Sequence, residues 1–158
     1  WLELRRRVLT LLDEQARLER MARIIGKDAL PARQRLTLAN AELLNEAFLR
    51  QSAFSETDRY CGPERQASML RLLARHIERA ERALADGATP EAIAALPLLR
   101  RLARMGEEID EHDPATMRAG FAQLEAQLEA AFDGLTEPLS PAAVPPGQSG
   151  GSEEPTAG

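Results

Sequence analysis

Aromatic residues make up only 4% of these 158 residues, cysteine occurs once, at Cys61, and histidine twice, at His76 and His112. One cysteine excludes an internal disulfide and a cysteine-based zinc cluster, and is compatible with a reducing compartment. No run of about eighteen apolar residues occurs, so no membrane-spanning helix is expected. The chain also lacks G-x-x-x-x-G-K-[ST], G-x-G-x-x-G and H-E-x-x-H, which removes the familiar phosphate loops and the zinc-protease helix. It opens on Trp1-Leu2-Glu3-Leu4-Arg5-Arg6-Arg7, with neither an initiator Met nor the basic-then-apolar layout of a signal peptide. We therefore expect a soluble piece of something longer.

What is present favours helix. Ala, Leu, Glu and Arg dominate, and these residues lose least on entering a helix, so an all-α fold is the first expectation. The net charge of −5 is unevenly placed: residues 1–35 hold nine Lys/Arg against five Asp/Glu, residues 106–158 one against eleven. That is a basic end and an acidic end, not the clustered basic patch of a nucleic-acid binder.

Apolar spacing then divides the chain. Leu4, Val8, Leu11, Gln15, Leu18, Ala22 and Ile25 recur in steps of four and three and predict one long helix stopped at Gly26. Pro31 suits the first turn of a second helix running to Gln51, with Leu36, Ala39, Leu43, Ala47 and Leu49 or Phe48 on its apolar face. Between Ser52 and Gly62 the period fails and turn-forming residues take over. A third helix starts near Pro63, carries Met69, Leu72, Leu73, His76, Ile77, Ala80 and Leu84 on one side, and stops at Gly87. Thr89-Pro90 reads as an N-cap with Pro in the first turn of a short helix through Leu96, and Pro97 re-aims the chain. A helix from Leu98 to Ile109 follows, and Asp113-Pro114 caps another, in which Met117, Phe121, Leu124, Leu128 and Phe132 share a face. After Gly134 the composition turns to Pro, Gly, Ser, Ala and Glu. The expectation is a helical bundle of about five helices over residues 1–135 and a disordered tail over 136–158.

Most charged groups read as structural. His76 sits among apolar helix positions as a half-buried packing residue, and His112 precedes a cap. Glu107, Glu108, Asp110, Glu111 and Asp113 lack the glycine-turned loop of a calcium site and read as a solvated helix end. Arg5, Arg6 and Arg7 fan around a helix instead of converging. Cys61, beside Tyr60 with no base next to it, reads as a packed thiol. The stretch from Phe48 to Cys61 is different: a helix that ends in Gln and Ala and then turns out Phe54 presents a flat apolar surface beside an amide, which suits a purine ring, although packing at an inter-helix corner is the commoner use of such residues.

That stretch, Phe48-Leu49-Arg50-Gln51-Ser52-Ala53-Phe54 followed by Asp58-Arg59-Tyr60-Cys61, resembles a segment of the A subunits of V-type and archaeal-type rotary ATPases, commonly Phe-Leu-Gln-Gln-Asn-Ala-Phe and then Asp-Thr-Tyr-Cys. Ile25-Gly26-Lys27-Asp28-Ala29-Leu30 resembles the family's Val-Gly-x-Asp-Ala-Leu turn, and Gln66-x-x-Met69-Leu70 its Lys-Gln-x-x-Met-Leu helix start. The likeness covers roughly residues 1–96. Arg50, Ser52 and Arg59 depart from the pattern.

The resemblance implies the C-terminal helical domain of the catalytic A subunit of a V/A-type rotary ATPase, coupling ATP hydrolysis or synthesis to proton or sodium transport. The phosphate loop, the catalytic glutamate and the magnesium-binding hydroxyl would lie upstream, so the fragment alone would be inactive and bind no cofactor, while the full-length protein would use ATP or ADP with Mg2+. Carried across by position, Gln51, Ala53 and Phe54 are the adenine contacts. The implied partners are B-type subunits in a hexameric head and the central rotor stalk, with no nucleic acid, and a cytoplasmic place that meets a membrane only through the complex. The alternative from another class is a non-enzymatic helical interaction module. A free-standing nucleotide-binding protein is a weaker third, because adenine contacts without phosphate donors give little affinity.

Overall fold

The computed structural model describes residues 2–49, 62–109 and 112–136, and these are helical as expected, with no strand among the described residues. The order is α1 (Leu2–Ile25), a 3-10 turn (Lys27–Ala29), α2 (Ala32–Leu44) continued by a π-helical turn (Asn45–Leu49), α3 (Pro63–Ala85), α4 (Pro90–Ala94), α5 (Leu98–Glu108) and α6 (Pro114–Thr136). The tail assigned to 136–158 lies, beyond Thr136, outside the described residues.

The helix ends follow the chemistry of their residues. Gly26 takes φ 90 and ψ 148, a conformation closed to a side chain with a Cβ, and its N–H still reaches the carbonyl of Ala22 at 2.9 Å. Gly87, at φ 104, ends α3 in a Schellman arrangement in which Ala88 N donates to Ala83 O at 2.9 Å and Gly87 N to Leu84 O at 3.2 Å. Thr89 caps α4, its hydroxyl accepting from Ala92 N at 3.1 Å. Asp113 caps α6 by accepting from the backbone N–H of Ala115 and Thr116 at 3.2 and 3.1 Å. With the Thr116 hydroxyl foremost, these donors hold the Asp113 carboxyl below its ordinary pKa.

One main core joins α2 (Leu36, Leu43, Leu44, Ala47), α3 (Met69, Leu72, Leu73, Ala80, Ala83), Ile93 of α4, α5 (Leu98, Leu102, Met105) and α6 (Met117, Phe121, Leu124, Leu128, Phe132). Val8, Leu11 and Leu12 of α1 lie against it half-buried. A satellite cluster of Leu18, Leu30 and Leu38, with Ala22 beside it, fastens α1 to α2. Helix α2 is covered on several sides, with Leu38, Asn40 and Ala41 buried in addition to its expected face.

Two expectations are corrected and one open alternative is decided. Ile25 does not extend the buried stripe of α1; it is 53% exposed, because α2 begins only at Ala32 and the last turn of α1 runs past its cover. Of the pair offered for the end of α2, Phe48 packs against the core and Leu49 points outward. His76 is not half-buried but sealed at 2% exposure, since α6 lies over it.

Candidate functional site

Gln51, Ala53 and Phe54, the expected adenine contacts, lie outside the described residues, as do Cys61, Asp110 and Glu111. The structure does describe what holds the two ends of that stretch. On the upstream side α2 widens into the π-helical turn Asn45–Leu49. Here the Asn45 N–H is shared between the carbonyls of Ala41 and Glu42, while its side-chain amide donates to Gln15 Oε1 on α1 at 2.9 Å. Gln15 in turn donates to Glu19 at 2.8 Å. Ala47 is buried and Phe48 half-buried, so the turn is anchored to the core up to the residue before Leu49. Such turns recur beside functional sites because the extra residue re-aims the chain that follows.

On the downstream side Gly62 leads into α3 with its carbonyl accepting from Gln66 N at 3.0 Å, and Pro63 occupies the first turn. Arg65, one turn in, is 1% exposed. Its Nη2 donates to the carbonyl of Gly106, in the last turn of α5, where the partial negative charge of the helix end suits a cation. Sequence reasoning missed Arg65, because an arginine in a charged first turn looks solvated. Its signal was positional: residues 65, 69, 72 and 76 lie on the apolar side of α3, so 65 faces inward too.

The remaining charged candidates serve the fold. Arg7 pairs with Glu78 at 2.6 Å and Arg6 with Glu3 at 3.5 Å, so the basic run divides between different carboxylates. Glu107 pairs with Arg104 at 3.2 Å and Glu108 with Arg101 at 3.6 Å at the end of α5. Among the described residues no group of three His, Cys, Asp or Glu side chains is placed to hold a metal ion. His112 lies exposed before the α6 cap. His76 has its ring 5.6 Å from that of Phe132, its Nδ1 finds no hydrogen-bond partner, and burial pushes the imidazole down to about 4 from its ordinary 6.5.

The other prominent surface is the corner between α1 and α2. Met21, Ile24 and Ile25 stand 38%, 85% and 53% exposed there, flanked by the exposed Arg20 and Arg23. Beneath them Leu30 is buried with Leu18 and Leu38, and Lys27 reaches Glu42 at 2.6 Å, a hydrogen bond that holds the ammonium above its ordinary pKa. Apolar residues on a well-anchored turn mark a contact surface more than a site of chemistry.

The described residues thus form a helical body with an exposed apolar corner between α1 and α2. Residues 1–93 match the family described as the C-terminal domain of V and A type ATP synthase, and the chain belongs to that family. Three relatives, all of them A subunits of A-type ATP synthases by name, align over most of it. That of Pyrococcus abyssi is 39% identical over 110 residues, covering 70% of this chain and 11% of the relative. That of Thermococcus onnurineus is 36% identical over 132 residues, covering 84% and 22%. That of Methanococcus maripaludis is 40% identical over 105 residues, covering 66% and 18%. The chain thus spans between 11% and 22% of the length of these relatives. The family match ends within α4, and α5 and α6 follow it.

Proposed function

We propose that this chain is the C-terminal helical domain of the catalytic A subunit of a V/A-type rotary ATPase. In this reading it follows a nucleotide-binding domain, supplies the adenine side of the ATP pocket through Gln51, Ala53 and Phe54, and meets the central rotor stalk through the α1–α2 corner. The Mg2+ and phosphates of ATP would be held by the upstream domain, since this sequence has no phosphate loop, and neighbouring B-type subunits would complete the hexameric head. The complex would couple ATP turnover to the movement of protons or sodium ions, with this domain on the cytoplasmic side. No helix among the described residues is long and apolar enough to cross a membrane, which agrees with a peripheral place.

The observation that carries the mechanical half of the reading is the corner. Its exposed Met21, Ile24 and Ile25 sit on a turn seated by the buried Leu30, so a force applied to these side chains meets packed structure. Packed helices move as bodies and pass displacement on with little loss to side-chain rearrangement. For the nucleotide half the support is the family match through residue 93 together with the anchoring of the stretch at the π-helical turn and at Arg65.

The test uses the assembled ATPase carrying this domain in its catalytic chains. Phe54→Ala removes a stacking face, and base–aromatic stacking is worth about 1–3 kcal/mol, so nucleotide affinity should fall by roughly five- to a hundredfold with assembly intact. Ile24→Asp should lower the number of ions moved per ATP and leave nucleotide affinity alone. An unaltered affinity in Phe54→Ala would remove the adenine role, and unaltered coupling in Ile24→Asp would remove the rotor contact.

A further inference from the structure

The link from Gly26 to Pro31 is short, and a short link between two helices bends under load unless it is tied to the bodies on either side. A single guanidinium makes such a tie. Arg35, in the first turn of α2, folds back over the corner: its Nη1 donates to the carbonyl of Leu30 at 2.9 Å and lies 3.4 Å from that of Asp28. Its Nε lies 3.0 Å from Glu91 Oε1 on α4, an ion pair without the alignment of a hydrogen bond, with the Arg35 side chain 28% exposed and that of Glu91 64%. The corner, α2 and α4 therefore meet at one residue.

The connection to α4 matters because the corner is otherwise seated on the satellite cluster of Leu18, Leu30 and Leu38, apart from the main core. Both α2 and α4 belong to the main body, with Leu36 of α2 and Ile93 of α4 buried in the core that α3, α5 and α6 share, so Arg35 ties the corner to that core at two places. The other polar tie, Lys27 to Glu42, reaches only α2, and both of its side chains are more than half exposed, where solvent weakens an ion pair. Arg35 itself is better shielded, though Glu91 is not, and it reaches a second helix. Its guanidinium meets these acceptors from two separate nitrogens of a fixed planar fork, whereas the three donors of a lysine ammonium radiate from one.

We propose that Arg35 is a positioning residue that makes the α1–α2 corner rigid with respect to the main bundle. Displacement of Met21, Ile24 and Ile25 then moves the bundle and is not absorbed by bending of the Gly26–Pro31 link. This rests on the reading that the corner meets the rotor stalk, and it adds the residue through which force leaves the corner.

The experiment compares Arg35→Met, Arg35→Lys, Glu91→Gln and Ile24→Asp in the assembled ATPase, with hydrogen exchange, KM for ATP and ions moved per ATP as readouts. Arg35→Met should speed exchange at the amides of residues 28–30 by about tenfold, with α3 and α6 unchanged, and should cut the ions moved per ATP to about half or less at an unaltered KM. Arg35→Lys and Glu91→Gln should shift both readouts in the same direction by less. Faster exchange with wild-type coupling overturns the proposal, because corner stiffness would then be irrelevant; unaltered exchange overturns it because Arg35 would not be holding the corner. Should Arg35→Met block assembly, Glu91→Gln decides on the same readouts. Loss of coupling in Ile24→Asp with none in Arg35→Met or Glu91→Gln sinks this inference alone, whereas no loss in any variant sinks the rotor contact itself.

Discussion

Protonating His76 should weaken the fold over a defined pH window. The ring is 2% exposed, packed 5.6 Å from Phe132, with Nδ1 unpartnered and Arg79 lying 5.8 Å from the same Phe132 ring. The folded-state pKa of about 4 lies below the ordinary 6.5, so the folded protein resists a proton that the unfolded chain accepts. The stability of the neutral state is fully present above about pH 6.5 and is lost as pH falls from there to about 4, below which no further loss comes from this group. The whole window corresponds to about 3 kcal/mol, and about 2 kcal/mol of it is gone by about pH 5, where few carboxylates have yet titrated. Urea denaturation followed by far-ultraviolet circular dichroism, at about pH 7.5 and about pH 5, measures this directly. His76→Leu keeps the volume and removes the titration, so wild type should lose about 2 kcal/mol more than the variant between the two conditions. The contribution of Asp113, whose pKa is also lowered, is common to both proteins and cancels. Equal losses in the two proteins would refute the reasoning, since a buried imidazole with no acceptor cannot be indifferent to gaining a charge.

Two further stability predictions follow from single contacts. Arg65→Met keeps the packed stem but leaves the Gly106 carbonyl without this charged donor, so thermal or urea unfolding should show a loss of about 1–3 kcal/mol, with faster amide exchange first in the last turn of α5. Thr89→Ala removes the acceptor of the Ala92 N–H and should cost about 1 kcal/mol, while Thr89→Ser, which retains the hydroxyl, should stay near wild type.

Much of the architecture could be read before the structure because its signals are local. Gly26, Gly87, Thr89-Pro90 and Asp113-Pro114 each fix a helix end through their own backbone or side-chain chemistry, and the observed ends fall where those residues stand. The misreadings arise where a neighbour distant in sequence decides. Ile25 continues the spacing of α1, yet no helix among the described residues covers it, and His76 is sealed by α6, whose approach no property of α3 announces. The buried Arg65 depends on the end of α5 reaching it. The π-helical turn at Asn45–Leu49 is too short to disturb a helical period and left no mark in the sequence. The expectation that Gln51, Ala53 and Phe54 contact adenine rests on likeness to a family, because by composition the stretch suits a packed corner as well as a purine ring.

The match to the family ends at residue 93, but the packed core does not. Glu64 pairs with Arg118, Arg75 with Glu129 and Arg79 with Asp133, each separated by 54 residues, so α6 runs parallel to α3 in a single register. Each pair has at least one side chain half or more exposed, and such pairs contribute about 1 kcal/mol or less each, too little to hold a helix in place. Their effect is to select the register. The energy comes from Leu124, Leu128 and Phe132, each 2% exposed or less, at about 1.5–3 kcal/mol per side chain. These residues bury the face of α3 that carries His76, while Val8 and Leu11 of α1 pack half-buried against the same core. Helix α3 is thereby clasped between α1 and α6. A chain ending at the family boundary would leave one side of α3 open to water, so α5 and α6 complete the core that the earlier helices begin. On the proposed reading they would provide the body against which a displaced α1–α2 corner acts.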